Sequence, residues 1–145
     1  MRLALEQAMV AMNMGEVPVG AVIVRGQELV AVAHNRCHTD GIATAHAELL
    51  AIEDACRKTG SWRLEDCTLY VTLEPCPMCA GAAINARIPR VVFAARDPRM
   101  GACGSLIDLS AYPLEIRPQY VGRVLEGEAL DLLQHFFCAI RKNKK

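Results

Sequence analysis

The sequence predicts an α/β fold: one mixed five-stranded sheet with helices on both faces, three layers in all. Three observations carry this reading. The apolar pattern runs in the order α-β-β-α-β-α-β-loop-β-α. A helical segment separates the third and fourth strands, and such a crossover joins parallel strands. A Gly26-Gln27 turn separates the first two strands, which should therefore form an antiparallel hairpin. Helices alternating with strands in this way cover both faces of one sheet.

The first helix is expected from Arg2 to Asn13, with Leu5, Ala8, Met9 and Met12 on one face and Gly15 as its stop. "VPVGAVIVR" supplies an apolar strand from about Val19 to Arg25, and "LVAVAH" returns to His34. Asn35 to Thr44 is polar and reads as a loop. The second helix is expected from about Ala45 to Lys58, ending at Gly60. "CTLYVTL", Cys67 to Leu73, alternates and reads as the third strand, broken by Pro75. The third helix takes in Cys76 to Arg87 and closes at Pro89. "RVVFAA" is apolar enough to be a central strand. A long connection from Ala95 to Pro113 precedes a fifth strand near Leu114 to Val121. The last helix starts near Glu126 and should bury Ala129, Leu133, Phe136 and Ile140.

A chain of 145 residues that is 52% hydrophobic suits one domain, 1–145, around one core. No apolar run approaches the roughly 20 residues that span a bilayer. The N-terminal stretch is interrupted by Glu6 and Gln7 and lacks a cleavage site, so it reads as an amphipathic helix of a cytoplasmic protein. Seven cysteines, an odd number without a secretion signal, argue against a disulfide framework. Cys37, Cys56, Cys67, Cys103 and Cys138 are scattered, and most of them read as small buried hydrophobes.

The net charge is zero, which gives no overall footprint for nucleic acid. The distribution is uneven. Arg87, Arg90, Arg96 and Arg99 share a segment with Asp97 alone, and Arg141, Lys142, Lys144 and Lys145 end the chain. The remaining 8 basic and 15 acidic residues carry a net −7. Arg96, Arg99, Arg141 and Lys142 are thus candidates for an RNA backbone, although solvated surface arginines and a charged helix end explain the same pattern.

Chemistry concentrates in two short stretches. "TAHAE" opens one helix and "EPCPMC" opens the next, with a strand between them. Helix starts that follow strands gather at the carboxyl edge of a sheet. At a first turn, His46 and Glu48 can serve one point, although residues two apart diverge in mid-helix. Cys76 and Cys79 share a face, and Pro77 fits the first helical position. One histidine and two cysteines make three ligands for Zn²⁺, and three ligands with an open fourth position is the catalytic pattern. Glu48 is then a base beside the metal's water rather than a ligand. An isolated redox CxxC or two core cysteines would account for Cys76 and Cys79 alone, but not for the paired motifs.

H-x-E followed by P-C-x-x-C is the signature of the zinc nucleobase deaminases. "GEVPVGAVIV", "HNR", "LYVTLEPC", "RVVFAARD" and "GSLIDL" extend the match over nearly the whole chain. Together they resemble the bacterial tRNA-specific adenosine deaminases, a family of cytidine deaminase-like fold that converts the wobble adenosine of a tRNA anticodon to inosine. The resemblance implies one zinc per chain on His46, Cys76 and Cys79, with Glu48 shuttling protons. It implies that Asn35 hydrogen-bonds the flipped adenine and its ribose, that Val17 packs on the base, and that Asp97 meets a neighbouring ribose. It also implies a homodimer acting on the anticodon stem-loop. The stretch after "ARD" departs from the family, being "PRMGACG" with Met100 and Cys103. A deaminase of a free base or nucleoside would use the same four residues. A non-catalytic zinc-containing RNA-binding subunit would have no use for Glu48.

Overall fold

The computed structural model describes residues 1–143. Its elements are α1 (Arg2–Asn13), β1 (Gly20–Arg25), β2 (Glu28–His34), α2 (Cys37–Asp40), α3 (Ala47–Thr59), β3 (Cys67–Leu73), α4 (Pro77–Asn85), β4 (Arg90–Ala95), β5 (Gln119–Val121) and α5 (Glu126–Asn143), with a 3₁₀ turn at Leu109–Ala111. The sheet order is β2-β1-β3-β4-β5. β1 pairs antiparallel with both β2 and β3, while β3–β4 and β4–β5 are parallel. The expected hairpin turns at Gly26-Gln27, with Arg25 opposite Glu28 and Gly26 at φ +59°.

Successive side chains of a strand face opposite sides, and both sides of this sheet are covered. On one side, Ala47, Ala51, Ile52 and Ala55 of α3 and Ala80 and Ala83 of α4 pack on Ala21, Ile23, Leu69, Val71, Val91 and Phe93. On the other, Leu5 of α1 and Ala129 of α5 pack on Ala94. The small residues on α1 let it lie close to the sheet. A Cβ at Gly20 would collide with the Ala4 carbonyl and the Ala8 amide, so glycine is needed where α1 crosses β1.

Several expectations need correction. The buried face of α1 is Ala4, Leu5, Ala8 and Ala11, whereas Met9 is exposed, because close packing on β1 selects alanine over methionine. The loop after β2 contains the one-turn α2. The fifth strand is three residues long rather than eight, since Pro118 has no N–H to donate and pairing begins only at Gln119. Ala129 and Phe136 are buried on α5, Leu133 is half-buried and Ile140 is exposed, as the helix runs past the sheet beyond Phe136. Cys138 is exposed for the same reason, and Cys37 and Cys56 are only half-buried. Lys144 and Lys145 lie outside the described residues.

The topology gathers chain segments at one edge. β2 runs parallel to β3 and β4, so Asn35, Glu74 and the residues after Ala95 leave the sheet on the same side. Val17 to Val19, which enter antiparallel β1, arrive there too. No helix is long and apolar enough to cross a membrane among the described residues.

Candidate metal centre and its cavity

α3 begins at Ala47, two residues later than expected, and its N-cap is His46 in an extended conformation (φ −74°, ψ 147°). The imidazole therefore springs from outside the helix, while Glu48 projects from its first turn. This is how residues two apart reach one site. α4 repeats the device: Cys76 is its extended N-cap, Pro77 occupies the first turn without losing a hydrogen bond, and Cys79 follows.

The three donors converge. His46 Nδ1 lies 3.7 Å from Cys76 Sγ and 3.5 Å from Cys79 Sγ. All three donor atoms fall within 4.8 Å of one another. Bond lengths of about 2.0–2.1 Å to nitrogen and 2.3 Å to sulfur give an N···S edge of about 3.6 Å in a tetrahedron, so the residues fit zinc with its fourth position free. Their electrostatics suit a metal. The neighbouring Cys79 side chain, then His46, draws the Cys76 thiol down to about 4. The same contact, with burial, pushes Cys79 up. The Cys76 side chain also raises the His46 imidazole. Glu48 is almost fully buried, and that burial pushes its carboxyl up to about 7.

The centre opens into a cavity of about 290 Å³ lined by Val17, Val19, Asn35, Cys37, His38, His46, Glu48, Leu73, Glu74, Cys76, Asp97 and Met100. Val17, Asn35 and Asp97 thus share one space with the metal-binding trio. Asp97 commits Oδ1 to the backbone N–H groups of Arg99 and Met100, at 2.9 and 3.2 Å. The basic candidates lie outside the cavity, and Arg96, Arg99, Arg141 and Lys142 are all exposed. Arg99 and Arg141 nevertheless line a common groove with Phe137 and Ile140. Among the described residues none of the four makes an ion pair, whereas Arg87 pairs with Glu115 at 3.6 Å.

Two buried carboxylates have structural roles that the sequence does not announce. Glu74 accepts the backbone N–H groups of Asp97, Cys103 and Ser105, each at 3.0 Å, and the Ser105 hydroxyl. It holds the 97–105 segment as one wall of the cavity. A Cβ on Gly101 would strike its carboxylate, so the segment closes down on Glu74 only with glycine there. Glu16 accepts the Thr39 N–H at 2.6 Å and the Asn35 amide at 3.1 Å. Both residues stand inside motifs already noted, "GEVPVG" and "LEPC", but nothing in their spacing marks them as cavity walls.

The family model of the MafB19-like deaminases matches residues 1–141. A tRNA-specific adenosine deaminase of Bacillus subtilis is 47% identical over all of this chain and 91% of its own. A structure from a study of A-to-I editing by tRNA:A34 deaminases at the wobble position superimposes with a TM-score of 0.88 and 40% identity, covering 91% of this chain and 96% of that one. A guanine deaminase from Nitrosomonas europaea is more distant, with a TM-score of 0.77 and 26% identity over 92% of this chain and 80% of its own.

Proposed function

The chain belongs to the MafB19-like deaminases, and from that premise we propose that it hydrolyses the wobble adenosine of a tRNA anticodon to inosine and ammonia. The observation that carries this reading is the metal-binding trio with Glu48 beside it, at the floor of a cavity large enough for a base. The greater likeness to the tRNA-specific relatives favours it over the guanine deaminases, which share the fold.

His46, Cys76 and Cys79 would hold one zinc ion. Zinc supplies a Lewis acid that makes a water nucleophilic near neutral pH. Glu48 takes a proton from the attacking water as oxygen adds to C6 of adenine. It returns the proton to N1 and then assists departure of the amino group as ammonia. Val17 offers an apolar surface to the base, Asn35 a polar group to base or ribose, and Asp97 its free Oδ2 to a neighbouring ribose. An anticodon loop gives up a base at low cost, since its nucleotides are not held in a duplex.

We take residues 1–145 as one deaminase domain of a cytoplasmic homodimer, with Arg96, Arg99, Arg141 and Lys142 meeting phosphates. Inosine mapping on anticodon stem-loop transcripts tests the substrate. Conversion of the stem-loop, with poor turnover of free adenine, adenosine, guanine and cytosine, is the expected result. Efficient turnover of one of those small molecules alone would transfer the protein to the free-base deaminases. Sedimentation of the holoprotein tests the dimer.

A further inference from the structure

Glu16 is completely buried and makes no ion pair among the described residues. Burying a carboxylate is costly unless hydrogen bonds replace its water. Its partners are two donors from separate segments. The Thr39 N–H meets Oε1 at 2.6 Å, and Asn35 Nδ2 meets Oε2 at 3.1 Å. The other end of the Asn35 amide, Oδ1, lies 3.5 Å from Cys37 Sγ, and both Asn35 and Cys37 line the cavity. A carboxamide has a donor end and an acceptor end of nearly equal shape. A carboxylate has only acceptors, so turning the amide over would set Oδ1 against a Glu16 oxygen. The Thr39 N–H holds the carboxylate itself in place.

We propose that Glu16 is a positioning residue that locks the Asn35 carboxamide with Oδ1 toward the cavity, so that Asn35 accepts a hydrogen bond from an O–H or N–H of the bound nucleoside. Glu16 does not touch substrate. It acts by deciding which end of Asn35 the substrate meets. The proposal rests on the deaminase reading above, and it adds a polarity to the recognition: Asn35 selects a donor on the substrate rather than a ring nitrogen. It also explains a buried acid that has no part in holding the metal. The donor is a ribose hydroxyl or an amine of the base, and a stem-loop with 2′-deoxyadenosine at the target distinguishes them. A loss with that substrate in the wild type points to the hydroxyl, and an unchanged rate to the amine.

The test is a swap of donor and acceptor, read by KM and kcat on the stem-loop with zinc content and melting temperature as controls. Glu16→Gln brings an NH₂ group against either Thr39 or Asn35. It should raise KM roughly tenfold, the effect of one hydrogen bond to a charged group, with kcat within about twofold and zinc retained. In an Asn35→Ala background the same change should alter KM by less than about twofold, since residues acting through one another are not additive. Asn35→Asp should be poor by itself, because two carboxylates then face each other. Combined with Glu16→Gln it should recover, because the glutamine amide can donate to the introduced aspartate while an acidic oxygen still faces the cavity. Additive losses in the cycle, a swap no better than Asn35→Asp, or a lowered melting temperature with unchanged KM would each overturn the proposal. Absence of inosine with the wild-type holoenzyme would instead overturn the substrate reading, so the two failures are distinct.

Discussion

At the floor of the cavity, three donor atoms lie within 4.8 Å of one another at the N-termini of two helices, two on the N-caps and one in a first turn. At its outside, Arg96, Arg99, Arg141 and Lys142 are exposed and without ion pairs among the described residues. The floor is fixed by helix caps and core packing, so it can hold a reacting atom in place. The outer residues end in long solvated side chains and can offer only charge, which salt screens. Loss at the floor should therefore abolish chemistry, and loss outside should change binding and its salt dependence.

Cys76→Ser or Cys79→Ser has the largest expected effect. Either change removes one of the three residues that would hold zinc, so metal content by elemental analysis should fall sharply and inosine formation with it. A fully active, metal-free protein would break the comparison at its root. Glu48→Ala comes next. It should keep the metal, because Glu48 lies outside the group of His46, Cys76 and Cys79, and lose roughly 10²–10⁴-fold in kcat, the usual worth of positioned acid–base catalysis. Loss of zinc in this variant would make Glu48 structural.

Glu74 stands between the two regions, and its effect should be intermediate. Glu74→Gln places an NH₂ group among four donors, so it should destabilise the protein by about 1–3 kcal/mol in thermal or urea unfolding. Loosening the 97–105 wall should raise KM more than it lowers kcat. An unchanged KM would confine Glu74 to stability. The smallest change at saturating substrate belongs to Arg99→Ala and Arg141→Ala. Each should leave kcat alone and flatten the log–log salt dependence of stem-loop binding by about 0.7 for every phosphate the arginine neutralises. Asn35→Ala should do the reverse, cutting activity with the slope intact. A slope unmoved by either arginine would remove their shared groove from the RNA path.

The sheet and the metal centre were legible for different reasons. Helix and strand order follows from apolar periodicity, and the parallel β3–β4 pair from the helix between them. The trio was legible because its residue types are rare and their spacing is local: Cys76 and Cys79 are one turn apart, and His46 and Glu48 share a helix start. The sequence could not show that His46 and Cys76 are caps rather than helical residues, since helix boundaries depend on cap conformation. It also overstated β5, where Pro118 limits pairing, and the buried reach of α5, where Ile140 extends past the sheet.

From the sequence by itself came the order of elements, the group of residues that could hold a metal and the acid proposed as its base, because each is a statement about side-chain type at short range. Tertiary structure decided the walls of the cavity. Glu74 finds its partners 23, 29 and 31 residues away, and Glu16 finds its partners 19 and 23 residues away. Four of their six donors are backbone N–H groups, which every residue but proline possesses. A bond to a group of no particular identity leaves no pattern in a sequence, so only the folded chain reveals which acids hold the site open.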